Sequence, residues 1–344
     1  MQNPQNTIIS AAQKSFIALK NPHSSVEKVY PNIIEAYKTR EDVFYTGVKN
    51  SALIPPDFIK ALGHEGFFVH TLDKASTAGR AIDMHLKNPW TGRPMTGSSS
   101  GTAINVHLGI NDIGIGTDGG GSVLAPAAAV NLIGFISPLL GREYMQNSTP
   151  RVSTDQIEFV PSLGCISKDL DIIKLLLKAG IAGFNPDASG AVRVTCDERD
   201  SLDLPRCDVQ YADLSFRESP RLDALSLLSE LLSDCDILIS KEGPIDFCGL
   251  GDTVLGHHDA GTQQLQKAGN KGFMRVANVA GATALTLPSG EFATGLLLIC
   301  ESTIPKIAKM MDFASKIAVP QALFERYFSE SAAYYPAGFG ESWA

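Results

Sequence analysis

No run of eighteen apolar residues occurs in the 344-residue chain, so no membrane-spanning helix and no membrane partner are expected. Basic residues are in deficit. The 29 Lys and Arg face 37 Asp and Glu, a formal charge of −8, which argues against a nucleic-acid partner, because phosphate binding needs a basic surface. The first residues, MQNPQNTIISAAQK, show neither the basic start nor the apolar stretch of a secretory leader, so the expected compartment is the cytoplasm. Six cysteines, Cys165, Cys196, Cys207, Cys235, Cys248 and Cys300, are scattered without a Cys-x-x-Cys pair. That spacing excludes a zinc cluster or a disulfide framework and leaves reduced, mostly buried thiols. His257, His258 and Asp259 sit together in GHHDAGTQQ, but adjacent histidines point opposite ways in an extended strand and no third spaced ligand accompanies them. A surface or pocket loop is expected there, and no metal. No Gly-Lys-Ser/Thr follows four variable residues after a glycine, and no Gly-x-Gly-x-x-Gly heads a strand–helix unit, so no nucleotide cofactor is expected. The Gly-x-Ser-x-Gly elbow of α/β-hydrolases is absent too.

What remains is an ordinary globular composition, 44% hydrophobic and 19% charged, long enough for a sizeable core. SFIALK (15–20) reads as a buried strand, DFIKALGHEGFFVH as a helix and then a strand, with Phe67 and Phe68 in the core. GTAINVHLGI reads as helical, DIGIG and NLIGFISP as strands. SKDLDIIKLLLKAG is a helix with Ser167 as N-cap and Gly180 at its stop. SPRLDALSLLSELLSDCDILIS is a helix, with Pro220 in its first turn, followed by a strand. Two strands flank a Pro-Ser-Gly turn in ATALTLPSGEFATGLLLIC, and TIPKIAKMMDFASKI closes with a helix. This alternation predicts an α/β fold with helices on both faces of a sheet, in a single domain spanning 1–344 without internal repeat or composition break.

Two Ser/Gly-rich loops carry the chemical signal, MTGSSSGTA (95–103) and GTDGGGSV (116–123). Adjacent glycines let several backbone N–H groups converge on one point, as an anion nest or an oxyanion hole. The amides of Gly119, Gly120, Gly121 and Ser122 are the candidate donors to a tetrahedral acyl intermediate. A serine hydroxyl needs a base beside it. His107 falls in the helical pattern and reads as packing or surface. Lys20 closes the apolar run SFIALK, where a desolvated lysine is held; the alternative is a lysine emerging at a strand end.

At this point the residues resemble the amidase signature hydrolases. TGSSSGTA and GTDGGGSVLAP are similar to that family's Gly-Gly-Ser-Ser-Gly-Gly and Gly-Thr-Asp-x-Gly-Gly-Ser…Pro elements, and Ser98 precedes Ser122 by the family's 24 positions. KNPWTGRPMTGSSSG resembles the Asn-Pro-Trp lead-in, FIALKNP the strand that ends in the catalytic lysine, SLGCISKDLDIIKLLL the segment after the site, and FMRVANVAGATALTLPSGEFATGLLLIC the late strand region. The resemblance covers about residues 15 to 318. It implies a central twisted mixed β-sheet flanked by helices on both faces. It also implies a hydrolase of carboxylic amide bonds: Ser122 attacks the acyl carbonyl, and Ser98, after a cis peptide bond with Gly97, relays the proton to Lys20. Ser99 then supports Lys20 by hydrogen bonding and Asp118 fixes the loop from behind. A small-molecule amide is the implied substrate, with no cofactor.

The chain departs from the pattern in named places. Leu124 stands where the family has an arginine that pairs with the aspartate of Gly-Thr-Asp, which leaves Lys168 as the expected partner of Asp118. Ser100 replaces a glycine and Asn21 an aspartate. The N-terminal region and the segment from about 191 to 220 are shorter than usual, which suggests a more open pocket or a partner that completes it. Two alternatives therefore stand beside the amidase: an esterase or acyltransferase on the same machinery, and a non-catalytic component of a larger complex or homo-oligomer. KEGPIDFCGLGDT is a candidate border of the pocket, and the C-terminal AAYYPAGFGESWA a lid, an oligomer contact or a docked tail.

Overall fold

A computed structural model describes residues 4–38, 40–146, 149–186 and 190–320. The C-terminal AAYYPAGFGESWA lies outside them. The strands are β1 (Val26–Val29), β2 (Phe44–Lys49), β3 (Phe67–Asp73), β4 (Ile82–Lys87), β5 (Pro94–Thr96), β6 (Ile113–Asp118), β7 (Ile133–Ser137), β8 (Arg151–Val152), β9 (Glu158–Phe159), β10 (Ser162–Ser167), β11 (Arg193–Cys196), β12 (Asp208–Tyr211), β13 (Ile237–Glu242), β14 (Thr283–Pro288) and β15 (Gly295–Cys300). The helices are α1 (Pro4–Lys20), α2 (Pro56–His64), α3 (Ser100–His107), α4 (Leu124–Ala128), α5 (Leu170–Gly180), α6 (Arg221–Asp234), α7 (Thr253–Gly256), α8 (Ala260–Lys267) and α9 (Ile304–Ile317).

Eleven strands form one sheet in the order β1-β3-β2-β6-β10-β7-β14-β15-β13-β11-β12. It is mixed: β2 runs parallel to β3 and β6, whereas β10, β7, β14 and β15 pair antiparallel in succession. Its central strands are buried on both faces, and alternate residues divide between two cores. Ile136, Leu238, Ala284, Leu297 and Ile299 join α3, α4 and α6 on one side. Phe135, Ile237, Ile239, Leu285 and Leu298 join α2, α5 and α9 on the other. The α/β reading with helices on both faces therefore describes the molecule. Among the described residues no helix is long and apolar enough to cross a membrane.

Two local expectations need correction. SFIALK is not a strand but the last turns of α1. Its inward residues, Ala11, Lys14, Ser15 and Ala18, follow helical spacing: Ala11 and Ala18 are buried, Lys14 pairs with Asp112 at 2.5 Å and Ser15 Oγ lies 3.2 Å from His70 Nε2. A six-residue apolar window does not distinguish the two periods, and the longer frame does. The N-cap of α5 is Asp169, whose carboxylate accepts from the Asp171 amide. Ser167 instead ends β10, donating to the Asp112 carbonyl and accepting from the Asp169 amide.

Candidate active site

The end of β2 sets the centre of the site. β2 lies between β3 and β6, and its final residue, Lys49, is 4% exposed. Its Nζ bonds Ser98 Oγ at 2.7 Å and Thr117 Oγ1 at 2.8 Å. Burial lowers its pKa to about 8, with Asp118 pulling the other way and Arg151 adding to the fall. An ammonium in this position therefore gives up its proton far more readily than a surface lysine.

The serines arrive from two loops. Ser98 sits between β5 and α3, and Ser122 between β6 and α4. The loops are stitched together, because the Ser99 amide donates to the Ser122 carbonyl at 3.1 Å. Gly97 makes the approach possible: its φ is +73°, and a Cβ there would lie 2.5 Å from Pro126 Cδ and 3.2 Å from the Ser122 carbonyl. Gly116 allows α3 to lie on β6, since a Cβ there would meet Ser99 Oγ at 2.7 Å. Lys49, Ser98, Thr117 and Ser122 line one cavity of about 600 Å³.

Asp118 lies under the glycine loop, 1% exposed. Oδ1 accepts the Gly120 and Gly121 amides at 3.0 and 2.8 Å, and Oδ2 accepts the Val123 amide at 2.6 Å. Desolvation raises its pKa, and these amides with nearby Lys49 oppose that rise. The expectation that four amides face an oxyanion is thereby narrowed. Gly120 and Gly121 are turned to the buried carboxylate, and the Gly119 and Ser122 amides are the ones with no protein acceptor among the described residues.

Other expected residues fall elsewhere. Lys20 is exposed at the C-terminal end of α1, where a cation suits the helix dipole; it does not line the cavity. Lys49 occupies the place expected of Lys20. The signal was present, since VFYTGVKN, like FIALKN, ends an apolar run in Lys-Asn. Ser99 supports no lysine; its buried Oγ has no hydrogen-bond partner and packs against Gly116. Lys168 does not pair with Asp118 and lines a separate cavity with Trp90 and His107, while Leu124 is wholly buried in α4. With no arginine beside it, Asp118 uses backbone amides instead. The Gly97–Ser98 peptide is trans, and the cis peptide among the described residues joins Gly243 and Pro244. Of the two regions read as pocket borders, KEGPIDFCGLGDT contributes Gly251 and Thr253 to the cavity. In GHHDAGTQQ the histidines are exposed and Asp259 caps α8, its carboxylate accepting the Thr262 amide at 2.8 Å.

Comparison with known proteins adds to this geometry. Residues 74–180 match the Amidase family profile, a span that holds both serine loops but not Lys49. One component of the glutamyl-tRNA(Gln) amidotransferase of Persephonella marina is 31% identical over 161 residues, 46% of this chain and 31% of that protein. The match thus spans about a third of that relative's length. The solved peptide amidase of Stenotrophomonas maltophilia superimposes with a TM-score of 0.62 at 14% identity, covering 93% of this chain and 95% of its own. The corresponding glutamyl-tRNA(Gln) amidotransferase component of Thermotoga maritima gives 0.60 at 16% identity, covering 92% and 91%. At such identities the likeness is one of fold, and that fold is the amidase-signature fold. The profile match thus covers about a third of this chain, and what the chain as a whole shares with these proteins is their fold.

Proposed function

We propose that the chain cleaves a carboxylic amide through an acyl-enzyme on Ser122, with Ser98 and Lys49 as the proton relay, on one amidase-signature domain. The observation that carries this reading is the buried Lys49 Nζ, 2.7 Å from Ser98 Oγ, in the cavity that Ser122 also lines. Ser122 Oγ attacks the acyl carbon, and its proton passes to Ser98 as the Ser98 proton passes to neutral Lys49. The oxyanion is held by the Gly119 and Ser122 amides. As the tetrahedral intermediate collapses, the proton returns through Ser98 to the leaving amine, the C–N bond breaks, and water later releases the acid.

The test is intact mass after treatment with a fluorophosphonate. One adduct is expected on the wild type, none on Ser122→Ala, a much slower one on Lys49→Ala, and an unchanged rate on Lys20→Ala. A folded wild type that takes no adduct overturns the reading and favours a non-catalytic role in a complex. A second reading, acyl transfer to an amine or delivery of ammonia to another protein, draws on relatives that are components of amidotransferases. Competing amines added to the assay separate the two by product.

A further inference from the structure

The cavity wall is cationic in an acidic protein. Lys49, Arg80, Arg151, Arg221, Lys271 and Arg275 line it, against a single carboxylate, Asp118, which is already engaged by three backbone amides. Most of these cations are committed. Arg80 pairs with Asp252, and Lys271 with Asp246 at 2.8 Å. Arg275 donates to the carbonyls of Gly272, Arg217 and Ser219.

Two groups are not. Arg151, on the short β8–β9 hairpin, is exposed, and its side chain has no hydrogen bond or ion pair among the described residues. Arg221 is 9% exposed; its Nη1 bonds Asp155 at 2.9 Å and its Nη2 the Arg275 carbonyl at 3.2 Å, but its buried Nε has no partner. Arg221 also lies against the nucleophile loop, since a Cβ on Gly120 would sit 3.2 Å from its Nη2. The same hairpin supplies both Arg151 and Asp155, so it ties the free guanidinium to the wall that Arg221 forms.

Resting on the proposed amide hydrolysis, we infer that this cavity selects amides whose acyl portion ends in a free carboxylate, with the Arg151 guanidinium as the receptor for that group. A carboxylate gives the Arg151 guanidinium charge-assisted hydrogen bonds, which a neutral acyl chain does not supply.

The experiment compares succinamate, glutaramate and adipamate with butyramide, valeramide and hexanamide. At least one anionic amide is expected to exceed its neutral counterpart by about tenfold in kcat/KM, the worth of one charge-assisted contact. The ratio is expected to collapse in Arg151→Gln and to be partly restored in Arg151→Lys. Equal or better turnover of the neutral amides, or a ratio unmoved in Arg151→Gln, overturns the inference while leaving the hydrolase reading intact. Should fluorophosphonate fail to label Ser122, the hydrolase reading falls by itself. The subsite is then judged by calorimetry with succinate, glutarate and adipate: heat lost in Arg151→Gln upholds it, and no heat from the wild type overturns it.

Discussion

Lys49 can accept a proton only when it is neutral. Its pKa, lowered by burial to about 8, means that most of the protein at pH 6 carries the ammonium form. We therefore predict that kcat/KM rises with pH and levels off above about 8; a profile flat from pH 6 to 9 contradicts the assignment. Lys49→Ala is expected to lower kcat/KM by about 100- to 10,000-fold, the usual worth of a general base, whereas Lys20→Ala leaves it within about twofold. The same burial costs stability. An ammonium sequestered beside two hydroxyls is less favourable than an apolar chain, so Lys49→Met is expected to melt a few degrees higher while losing activity.

Elements decide how closely the two serines approach. The chain between β5 and α3 turns through Gly97 in a left-handed conformation, directly against Pro126 at the start of α4. Gly97→Ala adds a Cβ 2.5 Å from the proline ring and forces an unfavourable φ. Its expected cost is about 2 kcal/mol or more in chemical denaturation, with loss of fluorophosphonate labelling even where the variant folds. These loops were legible in the sequence because their signals are contiguous: an aspartate, three glycines and a serine in five consecutive residues do their work locally. The lysine was not. FIALKN and VFYTGVKN both close an apolar run with Lys-Asn, and what separates them is the frame around each. In α1 the apolar residues belong to a 17-residue helix, while in β2 they belong to a strand flanked by β3 and β6.

Across the whole molecule, buried ionisable groups of opposite type set the pH response. Asp73 and Glu242 are wholly buried, and desolvation raises the pKa of each to about 7. Each has one carboxylate oxygen without a hydrogen-bond partner. Folded protein therefore binds protons that the unfolded chain has already released, so their contribution is full below about pH 4 and is lost as pH rises to about 7. His70 and His107, buried and lowered to about 4 and about 3, act with the opposite sign: they favour the folded state above the unfolded histidine pKa near 6.5 and lose that contribution as pH falls. The two effects oppose each other across mildly acid pH, so a single substitution reads more clearly than the whole curve. Glu242→Gln is expected to raise Tm at pH 8 and to change it little at pH 5; an equal shift at both values would show that Glu242 is ionised throughout.

The sequence by itself determined the α/β class, the two serine loops with their 24-residue interval, and the aspartate beneath the glycines, because each depends on residues near one another in the chain. Only the tertiary structure decided which lysine meets Ser98, which amides Asp118 withdraws from the loop, and which arginine reaches the cavity without a partner. Those are matters of long-range pairing. The packing of loops and helices around the eleven-stranded sheet brings residues 49, 98, 122, 151 and 221 to one cavity, and no local pattern carries that packing.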